Sequence, residues 1–499
     1  MGIIIKSLPA YTGPYPVATT DLELPVACPR SDFSPALLKS TGEPALQLQT
    51  TLVTLFYPAD EHRRGSGIRQ GWLERPIGRT AEGYARFLGK NPLLVKALFY
   101  LFGAGVKLPV EGDRALARRA EKQGEEKAVA GSAETLVGEE QSKLADTDDK
   151  FPLVIFSHGL SGTRTTYSQW CGEVASRGFV VAAIEHRDGS GPVSVVRLED
   201  GEERIVDYIR AEQHLSFPPP HSPQSSLEFR TSQLSLRLAE IESVLALMRR
   251  LNAGEGAAMA AENRRKDNGG EGTVGKWLPL WEGRVDLGRV VMAGHSFGGA
   301  TTIQALRAGL PNFPFVRGIA LDPWADPIPP APSAPSLTTT TSSSSASAAP
   351  TASPGDGEQV PIDVKVPLLV INSESFTLWR VHYKLVRGIV EAVEGGRGWL
   401  MTLVGSIHTT FSDLPLLSPY LARRSGARVE PKVGTARIVE ACREFLAGEG
   451  AQGVLLGQPV QEGDEEGARP GEGEKDEKGV KRPMEGEVGG MRAHVRGTE

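Results

Sequence analysis

Apolar residues along this chain fall into short unbroken runs separated by stretches with helical spacing. Thr51–Tyr57 (TLVTLFY) reads as a strand stopped by Pro58. Leu153–Phe156, Phe179–Ile184, Arg289–Ala293, Val316–Leu321, Pro367–Ile371 and Trp399–Leu403 are further runs of strand length, rich in β-branched residues. Between them lie helical patterns. One is centred on Tyr167–Ala175. Another runs from Leu227 to Leu251, where Leu234, Leu238, Ile241, Leu245 and Met248 recur on one face and predict a buried stripe. Fully apolar strands alternating with helices imply an α/β domain whose mostly parallel sheet is covered on both faces. In such sheets reactive groups gather just beyond the carboxyl ends of the strands.

Four segments fall outside this pattern. Residues 111–150 are dense in charge, 252–276 are small and polar, 329–358 carry a Pro/Ser/Thr tract, and 447–499 are mostly Gly, Glu and Lys. None can bury enough apolar surface to offset the entropy of ordering. The expectation is a single domain over 1–446 with three low-complexity insertions and a disordered acidic tail. Leu93–Val106 is the most apolar stretch, but it is too short and too interrupted by Lys96 to span a membrane. It reads first as a buried helix, with a helix lying on a lipid surface or lining an acyl pocket as the rival.

Composition narrows the function. A formal net charge of −6 argues against nucleic acid as a partner. Cys28, Cys171 and Cys442 are too far apart for a disulfide framework or a CxxC metal site, which fits a reducing compartment. The N-terminus has no secretory pattern, and the myristoylation pattern fails at Lys6, with Ser7 one place late. The expected location is cytoplasmic, peripheral to membranes at most.

The chemistry is carried by Gly294-His295-Ser296-Phe297-Gly298, a G-x-S-x-G between the strand RVVMA and a helix start, GGATTIQAL. A turn that tight strains the serine, demands glycine on both sides and lifts the hydroxyl above the sheet in front of free helix N–H groups, as in the α/β-hydrolase fold. A serine hydroxyl needs a base, and the base an acid, in the chain order Ser, acid, His. His408, in the loop after strand WLMTLV, is the expected base. His382 sits in a helical stretch and His494 in the tail. Asp322 ends the strand Val316–Leu321 and is the expected acid, ahead of its competitor Asp326. The loop His158-Gly159-Leu160-Ser161-Gly162 should supply the backbone N–H of Leu160, beside that of Phe297, to an oxyanion. His158, Gly159, His295 and Trp324 are candidate lining residues. Glu185-His186-Arg187-Asp188 reads as a charged network fixing a loop. No metal and no organic cofactor is expected.

The stretches GPYPVATTD, FSHGLSGTRTTYS, VVAAIEHRDGS, VDLGRVVMAGHSFGGAT, GIALDPW and GSIHTTFSD resemble, in order, the platelet-activating factor acetylhydrolase family of the plasma and intracellular type. They span most of the chain from Gly13 to Asp413. The resemblance implies a calcium-independent esterase of phospholipase A2 type that removes short or oxidised sn-2 acyl groups from glycerophospholipids. Carried over motif by motif, it gives Ser296 as nucleophile, Asp322 as acid, His408 as base, and the Leu160 and Phe297 amides as oxyanion donors. The Pro/Ser/Thr tract so close to Asp322 is a departure that leaves acyl-length selectivity open. A general short-chain carboxylesterase or lactone hydrolase of the same fold is the rival enzyme. A catalytically silent binding protein is the rival of another class.

Overall fold

A computed structural model describes residues 7–63, 69–119, 149–265, 274–307, 313–330, 363–460, 484 and 486–498. Ten strands form one sheet: β1 (Val17–Arg30), β2 (Leu48–Pro58), β3 (Glu111–Gly112), β4 (Phe151–Ser157), β5 (Val180–Glu185), β6 (Val285–His295), β7 (Phe315–Leu321), β8 (Leu368–Ser373), β9 (Gly398–Leu403) and β10 (Met491–Val495). Their spatial order is β10-β9-β8-β7-β6-β4-β5-β2-β1-β3. The block from β9 through β8, β7, β6 and β4 to β5 is parallel throughout, whereas β2 joins β5, β1 joins β2 and β10 joins β9 antiparallel. Order and direction together define the α/β-hydrolase fold.

Successive side chains of a strand point to opposite faces, so each central strand feeds two cores. Leu153 and Ile155 of β4 enter one, Val154 and Phe156 the other. The first is closed by the helices α4 (Ser226–Asn252), α6 (Phe297–Arg307) and α7 (Arg380–Glu391). The second is closed by α3 (Ser168–Ala175) and α8 (Pro431–Ala447). Two outlying helices, α1 (Ile77–Leu88) and α2 (Pro92–Leu98), lie against each other, and α5 (Gly256–Glu262) follows α4.

Three expectations need correction. The stretch from Leu93 is not a buried helix. Asn91 caps α2 by accepting from the Leu93 and Leu94 amides, and only Val95 packs inward, with Ala81 and Ala85 of α1. Leu93, Leu94 and Leu98 of α2, and Tyr100, Leu101 and Phe102 of the π-turn Phe99–Gly103 behind it, stand between 45% and 75% exposed. A helix crossing over another helix has one face to bury, and here the sequence is apolar on more than one.

The tail, expected to be disordered throughout, contains ordered elements. Within 447–499, residues 491–495 form β10, where buried His494 faces the Thr402 hydroxyl of β9 at 2.8 Å. Leu455 and Leu456 are buried in the second core, and their amides donate to Glu444 of α8. Residues 461–483 lie outside those described. The polar segments, too, are structured in part. Residues 252–265 contain α5, and Asn263 fastens β1 by accepting from the Glu23 amide and donating to the Asp21 carbonyl, both at 2.9 Å. Ala115, Leu116 and Ala117 are buried. The remainder of these insertions, 120–148, 266–273 and 331–358, lies outside the described residues.

Candidate active site

β6 ends at His295, and α6 begins at Phe297, so Ser296 alone makes the turn. Its φ is +57°, a left-handed conformation that costs a residue with a side chain of order 1–3 kcal/mol. The flanking glycines are forced by space. A Cβ on Gly294 would lie 2.2 Å from the Gly298 carbonyl oxygen, and one on Gly298 would lie 2.0 Å from that of Ser157. The elbow is thus wedged against the end of β4.

The Ser296 hydroxyl lies 2.8 Å from His408 Nε2, and His408 Nδ1 lies 2.7 Å from Asp322 Oδ2. Ser296 and Asp322 are buried, while the His408 side chain keeps 34% of its surface exposed. Asp322 follows β7 with φ at +44°. It accepts from the Ser373 amide at 2.6 Å and the Ser373 hydroxyl at 2.7 Å, at the end of β8. Phe376 stacks flat on the His408 ring, 4.3 Å away with 6° between planes. Asp326 instead accepts from Trp324 Nε1 at 2.7 Å. His382 is buried against Trp379 and accepts from the Ala325 amide.

The loop after β4 passes directly over the serine: a Cβ on Gly159 would sit 2.8 Å from Ser296 Cβ. Two donors, Gly162 N and His158 Nδ1, hold the Gly159 carbonyl at 3.1 and 2.8 Å. A peptide is planar, so fixing that oxygen also fixes the opposite direction of the Leu160 N–H. Among the described residues, the Leu160 and Phe297 amides have no backbone acceptor. His158 belongs to the loop's framework rather than its lining. Its Nε2 accepts from the His186 amide at 3.1 Å, and burial, then the neighbouring His186, hold it well below the usual histidine range. Trp324 stays half-buried beside Phe297, 6.0 Å between rings.

Beneath the loop lies a network of which the sequence reading caught only one side. Arg237 of α4 donates to the His158 carbonyl at 2.8 Å, to Asp188 Oδ2 at 2.8 Å and to the Ser190 hydroxyl at 2.7 Å. His186 bridges the Ser157 hydroxyl and Glu240. Burial, then the nearby Asp188, pushes the Glu240 carboxyl up to about 8. Glu185 pairs with Arg164, and Arg187 with Glu23. Arg237 and Glu240 flank the apolar stripe of α4 and are buried, whereas Leu238 within the stripe is only half-buried. A buried charge is tolerable only when paired and hydrogen-bonded, so charges at core positions mark such a network.

The donor atoms of His295, Asp322 and His408 lie within 4.8 Å of one another, a spacing that could hold a metal ion. Both ring nitrogens of His295 are already engaged, Nδ1 with the Tyr167 hydroxyl at 2.8 Å and Nε2 with the His408 carbonyl at 3.1 Å. Hydrogen bonding therefore accounts for this donor set.

A serine, histidine and aspartate in this arrangement at the carboxyl ends of an α/β-hydrolase sheet define the class: a serine hydrolase. Residues 125–333 match the family described as "Platelet-activating factor acetylhydrolase, isoform II". The chain is 30% identical over 273 residues to the platelet-activating factor acetylhydrolase of Gallus gallus, covering 54% of each. It is 26% identical over 412 residues to that of Cavia porcellus, covering 82% of this chain and 69% of the other. Over 305 residues it is 28% identical to a putative phospholipase A2 of Schizosaccharomyces pombe, covering 59% and 58%. The chain spans about half the length of the chicken relative. Over these stretches the chain is similar to platelet-activating factor acetylhydrolases.

Proposed function

We propose that the chain is a phospholipase A2-type serine esterase that cleaves short or oxidised sn-2 acyl groups from glycerophospholipids without calcium. His408 takes the Ser296 proton while Asp322 holds the imidazole, and the Ser296 oxygen attacks the ester carbonyl. The carbonyl oxygen gains its negative charge in front of the Leu160 and Phe297 amides, where one such donor is worth about 2.7–4 kcal/mol. His408 then returns the proton to the departing lysophospholipid oxygen. Water, deprotonated by the same histidine, releases the acyl group. The observation that carries this reading is the continuous hydrogen-bonded line from Ser296 through His408 to Asp322. The names of the relatives support a phospholipid as substrate.

The exposed apolar face of α2 and the π-turn supports a second element of the reading, peripheral contact with a lipid surface. Among the described residues no helix is long and apolar enough to cross a membrane. The test is hydrolysis of 1-alkyl-2-acetyl-glycerophosphocholine beside p-nitrophenyl acetate, by the wild type and by Ser296→Ala. Ser296→Ala should lose about 10⁶-fold in kcat if the three groups act as a unit. A preference for the soluble ester by kcat/KM would favour the general carboxylesterase, and no turnover with no fluorophosphonate labelling would favour the silent binding protein.

A further inference from the structure

His295 and Tyr167 join three separate parts of this site. Tyr167 leads into α3 and packs its ring against Phe156, 5.0 Å between centroids. Its hydroxyl lies 3.2 Å from the Gly159 amide, in the loop over the serine, and 2.8 Å from His295 Nδ1. His295 is the last residue of β6, one before Ser296, and its Nε2 lies 3.1 Å from the backbone carbonyl of His408. The His295 ring also stacks beside Phe411 and lies 4.5 Å from the His408 ring.

The protons can be placed in only one way that satisfies every partner. A carbonyl only accepts, so His295 Nε2 carries a hydrogen. The neutral ring then has a bare Nδ1, which accepts from the Tyr167 hydroxyl. With its own hydrogen committed, the Tyr167 oxygen is left to accept from the Gly159 N–H. Protonating His295 would place a second hydrogen between Nδ1 and Tyr167 and turn the tyrosine hydrogen against the Gly159 donor. Burial, then the neighbouring His408, keeps His295 well below the usual histidine range, so the neutral form is the one present.

We propose that Tyr167 and His295 are positioning residues, a directional bridge that sets the oxyanion loop and the base-bearing loop at a fixed distance on either side of Ser296. The inference rests on the hydrolytic reading above and deepens it. Transition-state stabilisation needs the Leu160 amide and the His408 imidazole placed together. The bridge ties the peptide before Gly159 to the backbone of His408 itself. The hydrogen bonds of both side chains go to each other and to backbone groups, not to the Ser296 hydroxyl or the His408 imidazole.

The test compares Tyr167→Phe, His295→Leu and the double variant with the wild type on p-nitrophenyl acetate, with melting temperature and fluorophosphonate labelling rate measured beside kcat and KM. Tyr167→Phe keeps the ring packing and loses only the hydroxyl. Expected are a fall in kcat of about ten- to a hundredfold with KM within about twofold, a matching fall in labelling rate, and a double variant no slower than His295→Leu alone. His295→Gln, whose amide N–H can reach the His408 carbonyl, should recover part of the His295→Leu loss. A Tyr167→Phe variant with kcat within about twofold of wild type, or losses that multiply in the double variant, would overturn the bridge. Ser296→Ala on the same ester decides the hydrolytic reading separately. If that reading fails, ¹⁵N NMR of the wild type still decides the bridge: a neutral His295 with hydrogen on Nε2 supports it, and a charged or Nδ1-protonated ring refutes it.

Discussion

Ser373 gives both of its donors to Asp322, the backbone N–H to one carboxylate oxygen and the hydroxyl to the other, which His408 shares. The carboxylate is therefore aimed by the end of β8 and not by its own loop alone. Hydrogen bonds to charged groups are worth about 1.5–3 kcal/mol. Ser373→Ala, which removes one of the two and also the cap on the Phe376 amide, should lower kcat by about tenfold or more and lower the melting temperature by a few degrees. Full activity in that variant would show that β8 does not orient the acid.

Asp322 and Asp326 lie four residues apart and meet different partners. Asp322→Asn should hold His408 in the wrong tautomer and cost about 10⁴ in kcat. Asp326→Asn disturbs a bond to Trp324 and the charge facing His382, away from the Ser296–His408 contact, and should remain within about tenfold of wild type. Steady-state kinetics on one soluble ester separates the two, and the reverse ranking would reassign the acid.

Gly298 has no room for a methyl group, because its Cβ would stand 2.0 Å from the Ser157 carbonyl oxygen. Gly298→Ala must push α6 away from β4. It should destabilise the protein by about 1–3 kcal/mol and slow fluorophosphonate labelling of Ser296 even at temperatures where the variant remains folded. Chemical denaturation and labelling kinetics measure the two effects, and wild-type values for both would contradict the packing described here.

The exposed leucines of α2 predict lipid contact. Leu94→Glu with Leu98→Glu adds charge to side chains already in solvent, so the fold should survive with an unchanged melting temperature. Flotation with phosphatidylcholine vesicles should then carry severalfold less of the variant than of the wild type. Equal flotation would remove the lipid-surface reading.

Asp413, beyond His408, accepts from Trp72 Nε1 and from the Ser168 and Gln169 amides at the start of α3. Burial nevertheless pushes its carboxyl up to about 7, against about 3.9 in an unfolded chain. The folded state thus binds this proton more tightly. The group's contribution to stability is fully present below the unfolded value and is lost as pH rises through the folded one. The melting-temperature advantage of the wild type over Asp413→Asn should shrink between about pH 4 and pH 7. A constant difference across that window would show that the carboxyl does not titrate there.

The parts of the molecule legible in the sequence are those where one physical cause dominates. Runs such as LVIF and FVVAAI are apolar because both faces of the central sheet are covered, and they appear as β4 and β5. The elbow was legible because sterics force glycine on both sides of Ser296. β1 was not, because its inward positions Asp21 and Glu23 are polar and are buried only by pairing with Arg164, Arg187 and Arg265, all distant in the chain. The Tyr167–His295 contact was hidden for the same reason. The short helix from Pro92 misled in the opposite sense, since apolar content alone does not distinguish a side chain facing the core from one facing outward.

β10 has a consequence for solubility. It shields the outer side of β9, the strand that leads into His408, and binds it through the His494–Thr402 contact as well as through the ladder. Stripped of residues 491–495, β9 would present a row of unpaired amides and carbonyls flanked by Leu400 and Met401, a template for another chain to add to. A proteolytic nick that released those few residues would leave Ser296, His408 and Asp322 all present while making the molecule prone to self-association.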